Sequence, residues 1–384
     1  MTGGRDAAVS ILRDLVAFDT TSYRSNLDLI EYVRDFLAAY SVDSHLVPSD
    51  DGRKANLFAT VGASRPGGIV LSGHTDVVPV DGQDWSSDPF AVEERDGRLY
   101  GRGTADMKSF IACALASVPA LVEAELPRPV HFAFSYDEEV GCLGVGRMID
   151  AILETLPQPA AVIVGEPTSM RIAAAHKGIC AMTTTVRGRE AHSSRPQDGV
   201  NAIAAAADLV AAIYRIGDAL AETERDDRFD PPFTSFNVGR IDGGDAINII
   251  ARECTLKWEF RPIPGADPDA ILGRVEYYVA RDLLPRMRAR APSTSVETVR
   301  DLLVPPFEAG DGSPAIAIAR RATGDNDSGT LAFVTEASLF AKAGLPAVIC
   351  GPGDIAQAHQ PDEFVALDQL DACLDFIERI AADA

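Results

Sequence analysis

Cysteine is scarce and scattered in this chain. Six occur in 384 residues, at positions 113, 142, 180, 254, 350 and 373, and no two stand in a Cys-x-x-Cys pair. That excludes a disulfide framework and a zinc–thiolate site, so the thiols are expected to be reduced and packed. Basic charge is also short. Against 57 Asp and Glu there are 35 Lys and Arg, a formal net charge of −22, which argues against nucleic acid and anionic membrane surfaces as partners. No apolar run is long enough to span a bilayer. The stretch from Met1 to Arg13 carries Asp6 and Arg13 and lacks a signal-peptide apolar core, so a cytoplasmic protein is expected. Repeats and low-complexity segments are missing as well.

What is present is ordinary globular composition, 46% hydrophobic and 24% charged, in a chain long enough for two domains. Apolar runs such as Ile69–Leu71, Val130–Phe134, Ala160–Val164 and Pro346–Cys350 alternate with helical patterns, and several end in glycine and an acidic residue or a histidine. That alternation predicts an α/β sheet with its site at the carboxyl ends of the strands. Near residue 180 the character changes. Threonines mix with apolar residues over 181–186, an Ala-rich helix follows over 201–216, and the later pattern completes a β-α-β-β-α-β order, the ferredoxin-like arrangement. The expected layout is a first domain over 1–179 and 299–384, with a second, 180–298, inserted into it.

The chemistry-bearing stretches lie at the strand ends. Ser72-Gly73-His74-Thr75-Asp76 places an imidazole and a carboxylate at i and i+2, on one face of an extended chain. A carboxylate there suits the orientation of a metal-bound imidazole, although a polar strand end with a core histidine fits the same residues. Tyr100-Gly101-Arg102-Gly103 lacks the third glycine of a dinucleotide loop and a Walker lysine, and leads to Asp106 at a helix N-terminus. Asp137-Glu138-Glu139 follows a buried strand. Alone it reads as a solvated acidic turn; as an extended segment it would point Glu138 and Glu139 to opposite faces and let them do different work. Of six histidines, His45, His131 and His176 have no functional setting, whereas His74 and His359 stand beside carboxylates. His74, Asp106, Glu139, Glu166 and His359 then form an imidazole–carboxylate set without thiolate, which suits Zn²⁺, Mn²⁺ or Co²⁺ in a catalytic site. Five ligands exceed one tetrahedral zinc and suit two metal ions, leaving Glu138 free to move a proton.

The ordered set SGHTDVVP, YGRGTADMK, DEEVG, GEPT, GREAHSSRP and AHQPDEF resembles the M20 family of co-catalytic metallohydrolases over nearly the whole chain. The resemblance implies a zinc-peptidase-like catalytic domain with a mixed sheet and an inserted lid and dimerisation domain. It implies one metal on His74 and Glu166, a second on His359 and Glu139, and Asp106 bridging them. Asp76 would orient His74, Glu138 would be the general base and acid, and His192 would stabilise the oxyanion, reaching across from the second subunit of a homodimer. Asn248 and Arg261 resemble the residues that hold a substrate α-carboxylate, although an exposed ion pair suits Arg261 equally. WSSDPF, DEEVGCLG, residues 243–264 and TEASLFAKAGLPAVICGPG are most similar to the members that release acetate from N-acetyl-L-ornithine in arginine biosynthesis. Desuccinylase, N-acyl-amino-acid amidohydrolase and dipeptidase activities share the same metal chemistry. Phe333-Val334 departs from the smaller residues usual there. A non-catalytic binding protein on this fold would show gaps among the ligands or the base, and none is found.

Overall fold

The apolar runs become strands of a mixed sheet. The computed structural model describes residues 4–310 and 312–383, and they fall into two compact units. The first comprises residues up to Ala175 with Glu308–Gly329 and the chain from Thr335. Its sheet runs, in spatial order, through Ser44–Pro48, Ala55–Val61, Val130–Ser135, Ile69–His74, Ala161–Val164 and Ala347–Ile349. The last four are mutually parallel, and Ala55–Val61 joins antiparallel to Val130–Ser135. Every residue of the four parallel strands is buried. Burial on both faces is why they read as continuous apolar runs rather than alternating ones.

Helices supply the covering layers. Leu367–Ala382 buries Leu370, Cys373, Phe376, Ile377 and Ile380 along one face, the three-to-four spacing of an amphipathic helix. Lys108–Glu123 is apolar over most of its length and buries Phe110, Ile111, Leu115 and Val118, as a helix enclosed in the core should. All six cysteines are buried and unpaired.

The second unit comprises His176–Phe307 and residues 330–334. Its four-stranded antiparallel sheet has the spatial order Ser235–Gly243, Glu253–Arg261, Ile179–Arg187, Ser295–Val304. Helix Ala202–Thr223 comes after the first strand in sequence, and a helical stretch from Pro268 precedes the last. This is the ferredoxin-like order. Here burial alternates: Cys180, Met182, Thr184 and Val186 are buried and their neighbours are not, so one face packs and the other is solvated. The buried Trp258 indole donates to Thr184 Oγ1 at 2.9 Å, which meets its need for a partner.

Two local features depart from the pattern. The helical stretch that precedes the last strand is not one regular helix but Pro268–Tyr278, a π-helical turn Val279–Leu283, and Leu284–Arg288. Pro285 has no N–H to bond back into the preceding turn, so the regular ladder is interrupted there. The short strands Glu93–Arg95, Arg98–Tyr100 and Phe364–Ala366 form a small separate sheet. Three-residue strands carry too few side chains to show a period.

His131 tests how this core handles a polar group. It is 1% exposed within the sheet, with Nδ1 2.8 Å from Thr60 Oγ1 and no partner for Nε2 among the described residues. Burial pushes its pKa down to about 4. The folded state therefore keeps the ring neutral, whereas the unfolded chain protonates it near its ordinary value of about 6.5. The associated stability is complete above that value and is lost as pH falls from 6.5 towards 4. At pH 5 the loss relative to pH 7.5 should be about 2 kcal/mol for this group. Denaturant unfolding of wild type and His131→Gln at both pH values should show a shallower acid decline in the variant; equal declines would refute a neutral buried imidazole.

Candidate metal centre

The parallel strands deliver polar residues beyond their carboxyl ends. Ile69–His74 ends on His74 and continues to Asp76; Val130–Ser135 leads to Glu138 and Glu139; Ala161–Val164 leads to Glu166. Ala347–Ile349 leads through Gly351 to His359. Asp106 stands just ahead of helix Lys108–Glu123, and the Asp106–Met107 peptide is cis. The strand ends approach so closely that a Cβ on Gly351 would lie 2.0 Å from the carbonyl oxygen of Gly165. Glycine is required there because the two backbones leave no room for a side chain.

These loops bring His74, Asp106, Glu138, Glu139, Glu166 and His359 together. His74 Nε2 lies 2.9 Å from Asp106 Oδ1 and 3.9 Å from Glu166 Oε1. On the other side, His359 Nε2 lies 3.4 Å from Asp106 Oδ2 and 3.1 Å from Glu139 Oε2. Asp106 thus turns one carboxylate oxygen to each imidazole. Ligand atoms of His74, Asp106 and Glu139 lie within 4.8 Å of one another, as do those of His74, Glu138 and Glu166. His74 is buried, whereas the His359 side chain is half exposed.

The adjacent glutamates are separated by a turn and not by strand alternation. The strand stops at Ser135, Asp137 adopts φ 59°, and the Glu138 carbonyl accepts from Gly141 N and Cys142 N, both at 2.8 Å. A left-handed backbone is unfavourable for a residue with a Cβ. It is held here by Lys54, whose ammonium pairs with the Asp137 carboxylate and donates to the Ser22 carbonyl. Asp76 fixes the turn beyond Asp137. Its Oδ1 accepts from Glu138 N at 3.1 Å and its Oδ2 from Glu139 N at 3.2 Å and from the Ser22 hydroxyl at 2.7 Å. The nearer contact of Asp76 to His74 is through its backbone carbonyl, 2.9 Å from Nδ1, while its carboxylate stands 3.6 Å from that atom. With Nδ1 bound to a carbonyl, Nε2 is left to face the carboxylates.

Negative charge is concentrated where water is scarce. Burial, with Asp106 next, pushes Glu166 well above its ordinary range, and burial aided by Glu139, Asp106 and Glu336 does the same to Glu138. Glu139 is raised by burial, then by Asp106, to about 7. The imidazoles respond in the opposite sense. His359 is raised to about 10 by its hydrogen bonds to Asp106 and Glu139. Burial resists charge on His74, but Asp106, Asp76 and Glu166 outweigh it and hold its pKa well above normal. Glu166 Oε1 accepts no hydrogen bond among the described residues. A nitrogen–oxygen donor set with surplus negative charge and an unpartnered buried carboxylate oxygen fits divalent cations.

Glu336 joins this cluster and was not singled out in the sequence. It is 1% exposed at the start of helix Ala337–Lys342, and burial raises its pKa to about 7. Its sequence signals are its place in the TEASLF stretch and a single carboxylate among largely uncharged residues. His192, Asn248 and Arg261 lie in the second unit. There the His192 and Asn248 loops are joined: His192 bridges Ile249, and Ser193 N donates to Asn248 O at 3.0 Å. Arg261 Nε donates to Glu259 Oε1 at 3.0 Å, a partly exposed ion pair.

Known proteins resemble this chain in sequence and in fold. An acetylornithine deacetylase of Myxococcus xanthus is 37% identical over 97% of this chain and 96% of its own length. One from Pasteurella multocida is 32% identical over 93% of this chain and 91% of its own. Among solved structures, a metallo-carboxypeptidase of the M20 family from Sulfolobus solfataricus superposes with a TM-score of 0.77 at 17% identity, covering 98% of both chains. The profile of peptidase family M20/M25/M40 matches residues 70–383, and the chain belongs to that family.

Proposed function

We propose that this protein hydrolyses the acetyl amide of N-acetyl-L-ornithine, giving L-ornithine and acetate, at a centre of two divalent metal ions. The observation that carries the reading is the placement of Asp106 between two imidazoles, each within 3.4 Å of a different oxygen. In this reading His74 and Glu166 hold one ion, Glu139 and His359 the other, and Asp106 both. Zinc is the expected metal, with cobalt or manganese compatible with the same donors. When bound, the ions supply Lewis acidity towards the amide carbonyl and ease the ionisation of water.

Glu138 supplies the proton transfers. It is buried, sits next in sequence to a ligand, and its high pKa suits a group that takes a proton from water and returns it to the departing amine. Asp76 holds the turn that carries Glu138 and Glu139, so it positions the base and a ligand together. His192 stabilises the oxyanion, and Asn248 and Arg261 receive the substrate α-carboxylate, Arg261 exchanging Glu259 for it. The second unit acts as lid and dimerisation domain, and His192 comes from the second copy in a homodimer. The substrate assignment draws support from the two deacetylases that match nearly end to end. Among the described residues no helix is long and apolar enough to cross a membrane, compatible with a cytoplasmic enzyme acting on a small metabolite.

Two experiments test this. Glu138→Gln should retain both metal equivalents while turnover falls by roughly 10²–10⁴-fold, and Glu139→Gln should lose metal; elemental analysis beside initial rates reads both, and equal metal loss would sink the division of labour. Across N-acetyl-L-ornithine, an N-succinyl amino acid, N-acetyl-methionine and a dipeptide, kcat/KM should be highest for the first. A higher value for another would overturn the substrate and leave the metal centre standing.

A further inference from the structure

Behind the ligands lies a buried ion pair that the reaction does not use. Arg102 and Glu363 are each 1% exposed, with Arg102 Nη1 2.6 Å from Glu363 Oε2. Removing two charges from water costs several kcal/mol per ion, and an apolar pair of similar volume would often stabilise a fold as well. The guanidinium is not even fully satisfied, since Nε has no partner among the described residues. Stability alone is therefore a poor account of the pair.

Its other side-chain hydrogen bonds run to the Asp106 and His359 loops or to Gln83, which reaches His359. Glu363 Oε1 accepts from Asp106 N at 3.1 Å and from Ala105 N at 2.9 Å. Arg102 Nη1 also reaches the Gln360 carbonyl at 3.3 Å, and Nη2 donates to Gln83 Oε1. Gln83 in turn donates from Nε2 to the His359 carbonyl at 2.8 Å. One end of the pair holds the backbone of Asp106 and the other end, through Gln83, the backbone of His359. The small sheet brings the two ends together, because Phe364 pairs with Tyr100 directly beside them. His359 needs such a hold: its φ is 62°, a strained conformation for a residue with a side chain.

We propose that Arg102, Glu363 and Gln83 form a positioning device that sets the distance between Asp106 and His359, and so the affinity of the cation site on the His359 side. The proposal rests on the two-metal reading and assigns these residues no contact with substrate. Groups that orient metal ligands typically contribute about 10–100-fold to metal affinity.

The test is stepwise Co²⁺ titration of the metal-free full-length chain, tracked by calorimetry and by visible absorption, with the melting temperature of the metal-free protein measured alongside. Wild type should take up two equivalents. Gln83→Ala should bind one equivalent about tenfold more weakly, with an altered absorption band, while the other equivalent and the metal-free melting temperature stay unchanged. Arg102→Lys keeps the charge but lacks the fork that reaches Gln83 and Gln360 together, and should show the same selective loss. If it fails to fold, Gln83→Ala, which leaves the ion pair intact, decides. Equal weakening of both equivalents, or of neither, in folded Gln83→Ala would overturn the proposal. Absence of any uptake by wild type would instead overturn the metal-centre reading beneath it.

Discussion

The structure depends on holding several carboxylates close together out of water. Asp76, Asp106, Glu138, Glu166 and Glu336 are all buried around His74, with Glu139 nearly so. Such a cluster is self-repelling, and each desolvated carboxylate needs a proton, a hydrogen-bond donor or a cation. Some receive donors: Asp76 takes three and Asp106 faces two imidazoles. Glu166 Oε1 does not, among the described residues, and that unmet demand distinguishes a candidate cation site from a folded-in acidic patch.

Around that demand the fold is arranged as a set of clamps. Parallel pairing sets the ends of Ile69–His74 and Val130–Ser135 level, with Val164 opposite Ser72 two residues short of them. Loops that leave a rigid sheet can place ligands to within a fraction of an ångström only if their own backbones are tied. Asp76 ties the glutamate turn, Lys54 ties Asp137, and the Arg102–Glu363 pair ties the Asp106 and His359 loops. Each tie begins at a charged group bonded to backbone or to another polar group, and the one to His359 passes through the neutral amide of Gln83; such bonds are strong where the dielectric is low.

The second unit is built differently. Its sheet packs one face and leaves the other wet, and its edge strand Ser235–Gly243 is largely exposed. An edge strand leaves its outer N–H and C=O groups without a neighbouring strand. The exposed His192 and Asn248 loops lie on the surface of this unit and are linked to each other by backbone bonds.

Much of this was legible in the residues alone. Continuous apolar runs identified the doubly covered strands, and threonines mixed with apolar residues over 181–186 marked a change of character at the second unit, because burial on one or two faces shapes the composition of a strand directly. His74, Asp106, Glu138, Glu139, Glu166 and His359 could be picked out as candidates because metal chemistry selects a few residue types and strand ends and loops expose them. Sequence could not give the means by which Glu138 and Glu139 diverge, since that depends on a left-handed Asp137 pinned by Lys54, 83 positions away. Nor could it show that the Asp76 carboxylate grips the glutamate backbone, that Glu336 lies with the candidate ligands, or that Arg102 reaches Glu363 across 261 positions. Type and period are local properties of a chain. The partner of a buried charge is a property of its packing, and only the tertiary structure decides it.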